Sequence, residues 1–322
     1  MQERLMSRRT LYYGSSIIHW ECRSWESDPH KPEDDLATEP MSSTTYKQCF
    51  ETLRRPLRPT VAVEDLAKFN WAWNKFLVHY TRGNLTKDED RLIASAGMVE
   101  IVERSTGMTN ISGLWKELLP EELLWQRVFE KLEDVETSQP QQQIAPSWSW
   151  ASRNGPIGIP HRYRRYNLLK YFTQFVDYKS MSSTPTDQRC SQHSRGQIVV
   201  KGPIIEIIFP HIRRWCLERG HEPESKFYPE DPPRLHPHLV LDNGHCVEFY
   251  PDEPQLLDTL KSASLFCLLV ARYQAPGEVG LVLAQILGSK SFRRVGYFID
   301  YGIVEDSSSS IASAAVWEIV IE

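Results

Sequence analysis

Few residues in this chain have the type and spacing that chemistry needs. His236-Pro237-His238, with His245-Cys246 a few residues on, is the closest approach to a metal site. An extended segment puts the imidazoles of residues 236 and 238 on one side, and a hairpin would return the second pair nearby. No fourth ligand presents itself, and Pro-rich loops often carry solvent-facing histidines, so no metal is expected. Cys22, beside Glu21 and His19, could be drawn as a nucleophile with a base. On a strand, however, residues 19 and 21 share one face and residue 22 takes the other, which favours a structural cysteine. The acidic run Asp88-Glu89-Asp90 has the composition of a helix N-terminus and is read as capping. Trp148 and Trp150 could stack on a sugar or a base, but alternate tryptophans next to Pro and Gly are what a core strand carries. Gly-x-Gly-x-x-Gly, Walker A, Gly-x-Ser-x-Gly and His-Glu-x-x-His are all missing from the sequence. No catalytic or cofactor-binding residue is therefore nominated, no cofactor is expected, and the chain reads as non-enzymatic.

The bulk composition narrows the class. At 322 residues the chain can bury a sizeable core, and 41% hydrophobic with 25% charged residues is ordinary for a globular protein. A net charge of −5 gives no general case for nucleic acid. The one basic stretch, His161-Arg162-Tyr163-Arg164-Arg165-Tyr166, is read as a solvated strand or loop. No apolar run reaches the ~20 residues that span a bilayer, and Met1 to Arg9 lack the apolar centre of a secretory signal. Six cysteines, at 22, 49, 190, 216, 246 and 267, are scattered and form no Cys-x-x-Cys. That usage points to a reducing, cytoplasmic setting, with neither a membrane nor a nucleic acid as partner.

The elements that must hold these residues fall into five stretches. Residues 1–25 contain two short strands, around Leu11-Tyr12-Tyr13 and 17–22, separated by Gly14-Ser15-Ser16, a hairpin signal. Residues 26–62 are rich in Pro, Asp, Glu, Ser and Thr and read as a linker, with one helical turn near 46–53. Residues 63–135 follow a helical period. Val63, Leu66, Phe69, Asn70, Trp73, Phe76, Leu77 and Tyr80 mark one face, ended by Gly83-Asn84. Thr86 and Glu89 have capping-box spacing ahead of a second helix, through Leu92, Ala96, Val99 and Val102 to Gly107. A third helix is expected from Pro120 through Leu123, Leu124, Val128, Phe129 and Leu132. The run Ser138-Gln139-Pro140-Gln141-Gln142-Gln143 places a linker at 136–146. Residues 147–322 are β-rich. Trp148 and Trp150 are expected on a short buried strand that leaves by Gly155-Pro156. Further strands are expected at 172–178, 197–201, 204–209, 265–272, 281–286, 293–299 and 316–321. Leu239-Val240-Leu241, Asn243-Gly244 and 246–249 read as a hairpin with a tight turn. The expected fold is α+β: a small helical segment followed by a mostly antiparallel, β-rich C-terminal region, as sheet, barrel or sandwich.

Several of these stretches carry a family resemblance. Pro146-Ser147-Trp148-Ser149-Trp150-Ala151-Ser152, followed by Gly155-Pro156-Ile157, is similar to a segment found downstream of the HET domain in fungal heterokaryon-incompatibility proteins. Gln2-Glu3-Arg4, with Trp20-Glu21-Cys22, resembles the last motif of that domain, although Arg8 stands where the family usually has Pro. Trp73, Tyr80, Thr81, Leu85, Thr86, Asp90, Leu92, Ala94 and Gly97 are similar to a helical segment beyond it. Gly113-Leu114-Trp115-Lys116, Leu119-Pro120 and Leu123-Leu124-Trp125 resemble the segment after that. Gly280-Leu281-Val282-Leu283 and Arg293-Arg294-Val295-Gly296-Tyr297-Phe298 resemble late strands.

The resemblance implies a role in nonself recognition and incompatibility-type cell death, with a protein or ligand of unknown identity as partner. It also implies that most of the HET domain would lie before Gln2, so that residues 1–25 are its C-terminal remnant. That domain is held to trigger death and to be distantly similar to TIR domains, some of which cleave NAD. Three readings follow: a non-enzymatic regulatory or ligand-sensing part; part of a NAD-cleaving effector whose catalytic half lies elsewhere; or a free-standing β-rich binding module. Under the first, the motif positions are structural.

Overall fold

The computed structural model describes residues 7, 9–13, 18–22, 26–27, 53–54, 63–83, 85, 87–127, 144–159, 168–180, 196–207, 209–213, 238–241, 246–253, 260, 263–274, 277–300 and 311–322. Its first strands are β1 (Arg9–Tyr13), β2 (Ile18–Cys22) and β3 (Glu26–Ser27). They form the expected hairpin with Leu11 opposite Trp20, and β3 adds a third antiparallel strand taken from the segment read as linker. Leu53, also in that segment, is fully buried, and its carbonyl accepts a hydrogen bond from Ser105 Oγ at 3.0 Å. The segment is thus anchored in places and not wholly a linker. The small sheet pairs with no other described strand, and on β1 Leu11 is 45% and Tyr13 78% exposed. Unpaired edges with apolar side chains favour association between copies. Deleting residues 1–25 is therefore expected to raise soluble yield, and equal yields from the two forms would refute it.

Helix α1 (Val63–Arg82) follows its apolar period, with Phe69, Trp73, Phe76, Leu77 and Tyr80 buried. The acidic trio does not cap a long helix, because it fills a 3-10 turn of its own, Asp88–Asp90. A second 3-10 turn, Ile93–Ser95, leads into α2 (Ala96–Thr106). Gly107 ends α2 in the left-handed region at φ 73°, donating to the Glu103 carbonyl at 2.8 Å.

Two short strands follow, β4 (Asn110–Ile111) and β5 (Leu114–Trp115). Over its described residues, 120–127, the third helix expected from Pro120 does not form. Glu121–Leu124 make a 3-10 turn, Trp125 is extended, and β6 (Gln126–Arg127) pairs with β7 (Ile157–Gly158). All four residues of that turn are buried, so the solvent-facing stripe an amphipathic helix needs does not exist there. The rest of that expected helix, with the 136–143 run, lies outside the described residues.

The β-rich region contains β8 (Leu168–Tyr171), β9 (Gln174–Ser180), β10 (Gly196–Ile207), β11 (Phe209–Arg213), β12 (His238–Val240), β13 (Cys246–Pro251), β14 (Leu265–Tyr273), β15 (Glu278–Gln285), β16 (Ser291–Asp300) and β17 (Val316–Ile321). They make one ten-stranded sheet, antiparallel except where the start of β16 meets the end of β17. Pairing runs from β10 through β14, β15, β16 and β17 and returns to β10, so part of the sheet closes into a ring. The two strands expected at 197–201 and 204–209 are largely one, β10. Gly202-Pro203 falls where this strand exchanges β9 for β14 along one edge, so the missing Pro203 N–H interrupts neither pairing. The hairpin of β12 and β13 forms with Val240 opposite Cys246, and the tight turn expected at Asn243-Gly244 lies outside the described residues. Both faces of the central strands are buried. Phe266, Leu268 and Val270 of β14 join the cluster shared with the helices, while Leu265, Cys267 and Leu269 join a second cluster with β12, β13 and Ile311. The fold is α+β, a small helical segment followed by a mostly antiparallel β-rich region. Among the described residues no helix is long and apolar enough to cross a membrane.

Candidate functional site

The Pro146-to-Gly155 segment is where the helical part, the short hairpins and the large sheet meet. It is not the strand its tryptophan alternation predicts. Ser147 and Trp148 lie in a turn, and Trp150–Ser152 form a 3-10 turn capped by Ser149. Ser149 Oγ accepts the Ala151 N–H at 3.0 Å, and Ser152 Oγ donates to the Ser149 carbonyl at 2.7 Å. Hydroxyls placed this way offer the backbone partners that compete with a ladder. The core assignment of the tryptophans holds, with Trp148 0% and Trp150 1% exposed.

Several polar atoms in the segment tie two parts of the chain together. Trp148 Nε1 donates to the Gly196 carbonyl at the start of β10 (3.1 Å), and Trp150 Nε1 to the Gly113 carbonyl (2.8 Å). Trp125 Nε1 donates to the Trp148 carbonyl at 2.8 Å. Ser147 Oγ donates to the Glu322 carbonyl and accepts the Arg294 N–H at 3.0 Å. Beyond the turn, Thr81 Oγ1 of α1 accepts the Ile157 N–H at 2.8 Å and Asn74 Oδ1 the Ile159 N–H at 2.7 Å. Gly113 sits at φ 94°, and a Cβ there would lie 2.7 Å from Trp150 Nε1. Gly113→Ala is expected to cost about 1–3 kcal/mol through backbone strain and overpacking. A shifted urea midpoint at unchanged slope would register it.

Arg294 is the charged centre of this knot. It is fully buried on β16, with its guanidinium 3.4 Å from the Trp125 ring centroid. Nε and Nη2 each reach a different oxygen of Asp252 at 3.0 Å, a bidentate pair. Nη1 donates to the Leu123 carbonyl at 2.6 Å and Nη2 to the Trp125 carbonyl at 2.5 Å. Burial lowers the Arg294 pKa from its usual value and the Asp252 carboxylate opposes that shift. Asp252 was not foreseen, since an acid just past a strand carries no pattern linking it to an arginine 42 residues on.

The other motif positions divide. Leu114 and Trp115 are buried beside α1, with Trp115 5.0 Å from Trp73. Pro146, Ser147 and Ser152 are buried, Gly155 and Pro156 half-buried, and Asp90 exposed. Gly296 lets β13 approach, since a Cβ there would lie 2.5 Å from the Phe249 ring and 2.6 Å from the Tyr250 carbonyl. Trp20, Glu21 and Cys22 stand on β2, in the separate small sheet, and are not brought to the knot by any pairing. Gln2, Glu3 and Arg4 lie outside the described residues, as do His236, Pro237 and His245 of the imagined metal cluster. In the backbone register of the hairpin His238 pairs with Glu248, and Cys246 with Val240. Among the described residues no group of three or more His, Cys, Asp or Glu is placed to hold a metal ion.

The fold and this knot define an α+β protein whose helical segment is clamped onto a partly closed β-sheet. Compared with known proteins, the chain matches no family model, no curated protein and no solved structure.

Proposed function

We propose that this chain is a non-enzymatic, regulatory or ligand-sensing part of a protein of the HET family, acting in the cytoplasm in nonself recognition and cell death. The observation that carries the non-enzymatic half is the use made of the motif residues. Trp148, Trp150, Ser147, Trp125 and Arg294 are buried, and their polar atoms are engaged by backbone carbonyls and Asp252. Groups held in this way turn no reactive atom toward a substrate. The family half rests on the ordered motifs from Trp73 to Gly296.

The test has two readouts. Co-expression of the chain with a complete HET-domain protein in a filamentous fungus, followed by fusion with a strain that lacks both, is expected to change the fraction of fused cells that die relative to the HET-domain protein alone, and an unchanged fraction would refute the recognition role. Incubation of the purified chain with NAD is expected to release no nicotinamide, and release would instead establish the effector reading.

A further inference from the structure

The outer edge of β17 is open where the strand begins. The Ile204 N–H donates to the Ala315 carbonyl at 3.1 Å, so residues 204 and 315 form a hydrogen-bonded pair at the end of the β10–β17 ladder. Such pairs alternate along an antiparallel ladder. Trp317, Ile319 and Ile321 therefore turn their main-chain groups toward β10, and Val316, Glu318 and Val320 turn theirs away. From Val320 onward β16 takes this outer edge, with the Glu322 N–H on the Phe292 carbonyl at 2.9 Å. The main-chain groups of Val316 and Glu318 meet no strand among the described residues.

The side chains of this open stretch are exposed as well, Val316 by 56% and Trp317 by 49%. Trp317 stands opposite Gly202, which has no side chain to cover it, and Glu318 stands opposite Lys201. Natural edge strands are blunted by charges, prolines or bulges. β9, on the other side of β10, carries exposed Asp177 and Lys179 and a register shift between Val199 and Val200. β17 pairs with β10 without a shift and has an aromatic residue at the centre of its open stretch.

An open edge of this kind pairs with an extended strand, and a strand of the same chain pairs about a two-fold axis. With the axis at Trp317, Val316 of each copy exchanges its free N–H and carbonyl with Glu318 of the other. The two Trp317 residues then form the non-hydrogen-bonded pair between them, where side chains on one face lie closest. Cross-strand aromatic pairs are favourable in that position. Each Glu318 lies opposite a valine and keeps its own Lys201. With the axis at residue 318 the two Glu318 carboxylates would be directly opposed, which is destabilising. Charge therefore selects the register.

We propose that β17 is a dimerisation edge, on which two copies of this chain pair antiparallel about Trp317 and join their large sheets across the axis. The proposal is independent of the family reading and of the association expected of β1.

Sedimentation velocity of the full chain, from micromolar to submillimolar concentration, tests it. A reversible monomer–dimer equilibrium is expected, weak because only residues 316–318 of each copy take part. Trp317→Lys and Trp317→Glu are each expected to weaken dimerisation at least tenfold, and an equimolar mixture of the two to restore it, since these side chains meet across the axis. Glu318→Pro removes an outward N–H and no bond of the β10 ladder, and is expected to weaken the dimer likewise. Tyr13→Lys, on the separate small sheet, leaves it unchanged. Should a charged variant at 317 not fold, Glu318→Pro carries the comparison. A monomer at every concentration would overturn the proposal and leave the edge to a strand of another protein. Undiminished dimerisation of Trp317→Lys, no recovery in the mixture, or loss of the dimer in Tyr13→Lys would each overturn it too.

Discussion

Arg294→Met is expected to destabilise the protein by about 3–5 kcal/mol, the usual cost of removing one partner from a buried ion pair. Asp252, only 2% exposed, would be left with its carboxylate uncompensated, and the carbonyls of Leu123 and Trp125 would lose their donors. Methionine fills much of the arginine stem's volume, so the loss reports charge and hydrogen bonding more than a void. Since whole-domain stability is about 5–15 kcal/mol, the variant sits close to unfolding at 37 °C. Adding Asp252→Asn to Arg294→Met removes the stranded charge, so the double variant should be more stable than the sum of the two single losses. Urea unfolding of the four proteins in the cycle reads the coupling. Additive losses would mean that the pair contributes nothing specific, and the knot would then be held by its tryptophans alone.

Trp148→Ala is expected to cost about 3–5 kcal/mol, as a large buried aromatic does when truncated. The indole is fully buried, packs edge-on against Tyr178 of β9 at 6.1 Å, and donates to Gly196 at the start of β10. Its loss opens a cavity where the motif turn meets two strands of the large sheet. Trp148→Phe keeps much of the ring and loses the N–H, leaving the Gly196 carbonyl without that donor, so a smaller loss of about 1–3 kcal/mol is expected. Thermal melts and urea titrations of both variants measure this ordering. A folded Trp148→Ala protein with an unchanged melting temperature would refute the core role.

The elements that were legible in the sequence are those whose pattern is local. The stripe from Leu66 to Tyr80 on α1, the Gly107 terminus of α2, the span of β17 and the hairpin of β1 and β2 each follow from a period of 3.6 or 2, or from one glycine. The short strands β6, β7 and β8 were missed because two to four residues carry too little periodicity to stand out. The start of the expected third helix is a 3-10 turn instead, because Leu123 and Leu124 match a helical stripe equally well when every neighbour is buried too. At the motif, alternation of Trp and Ser reads as a strand. The hydroxyls of Ser149 and Ser152 turn the backbone instead, and that outcome depends on the Ser112 carbonyl, which accepts Ser149 Oγ at 2.5 Å from 37 residues upstream.

By itself the sequence determined the α+β class, the order of a helical segment before a β-rich region, and the burial of Trp115, Trp125, Trp148 and Trp150, because apolar periodicity and side-chain size act over a few residues. Tertiary structure alone decided what those residues do together. Arg294 meets Asp252, Leu123 and Trp125, Ser147 meets Glu322, and Arg91 shares Asp88 with Asn154. Buried charges and hydroxyls must find partners wherever the chain path brings them, and closure of β10, β14, β15, β16 and β17 into a ring sets that path.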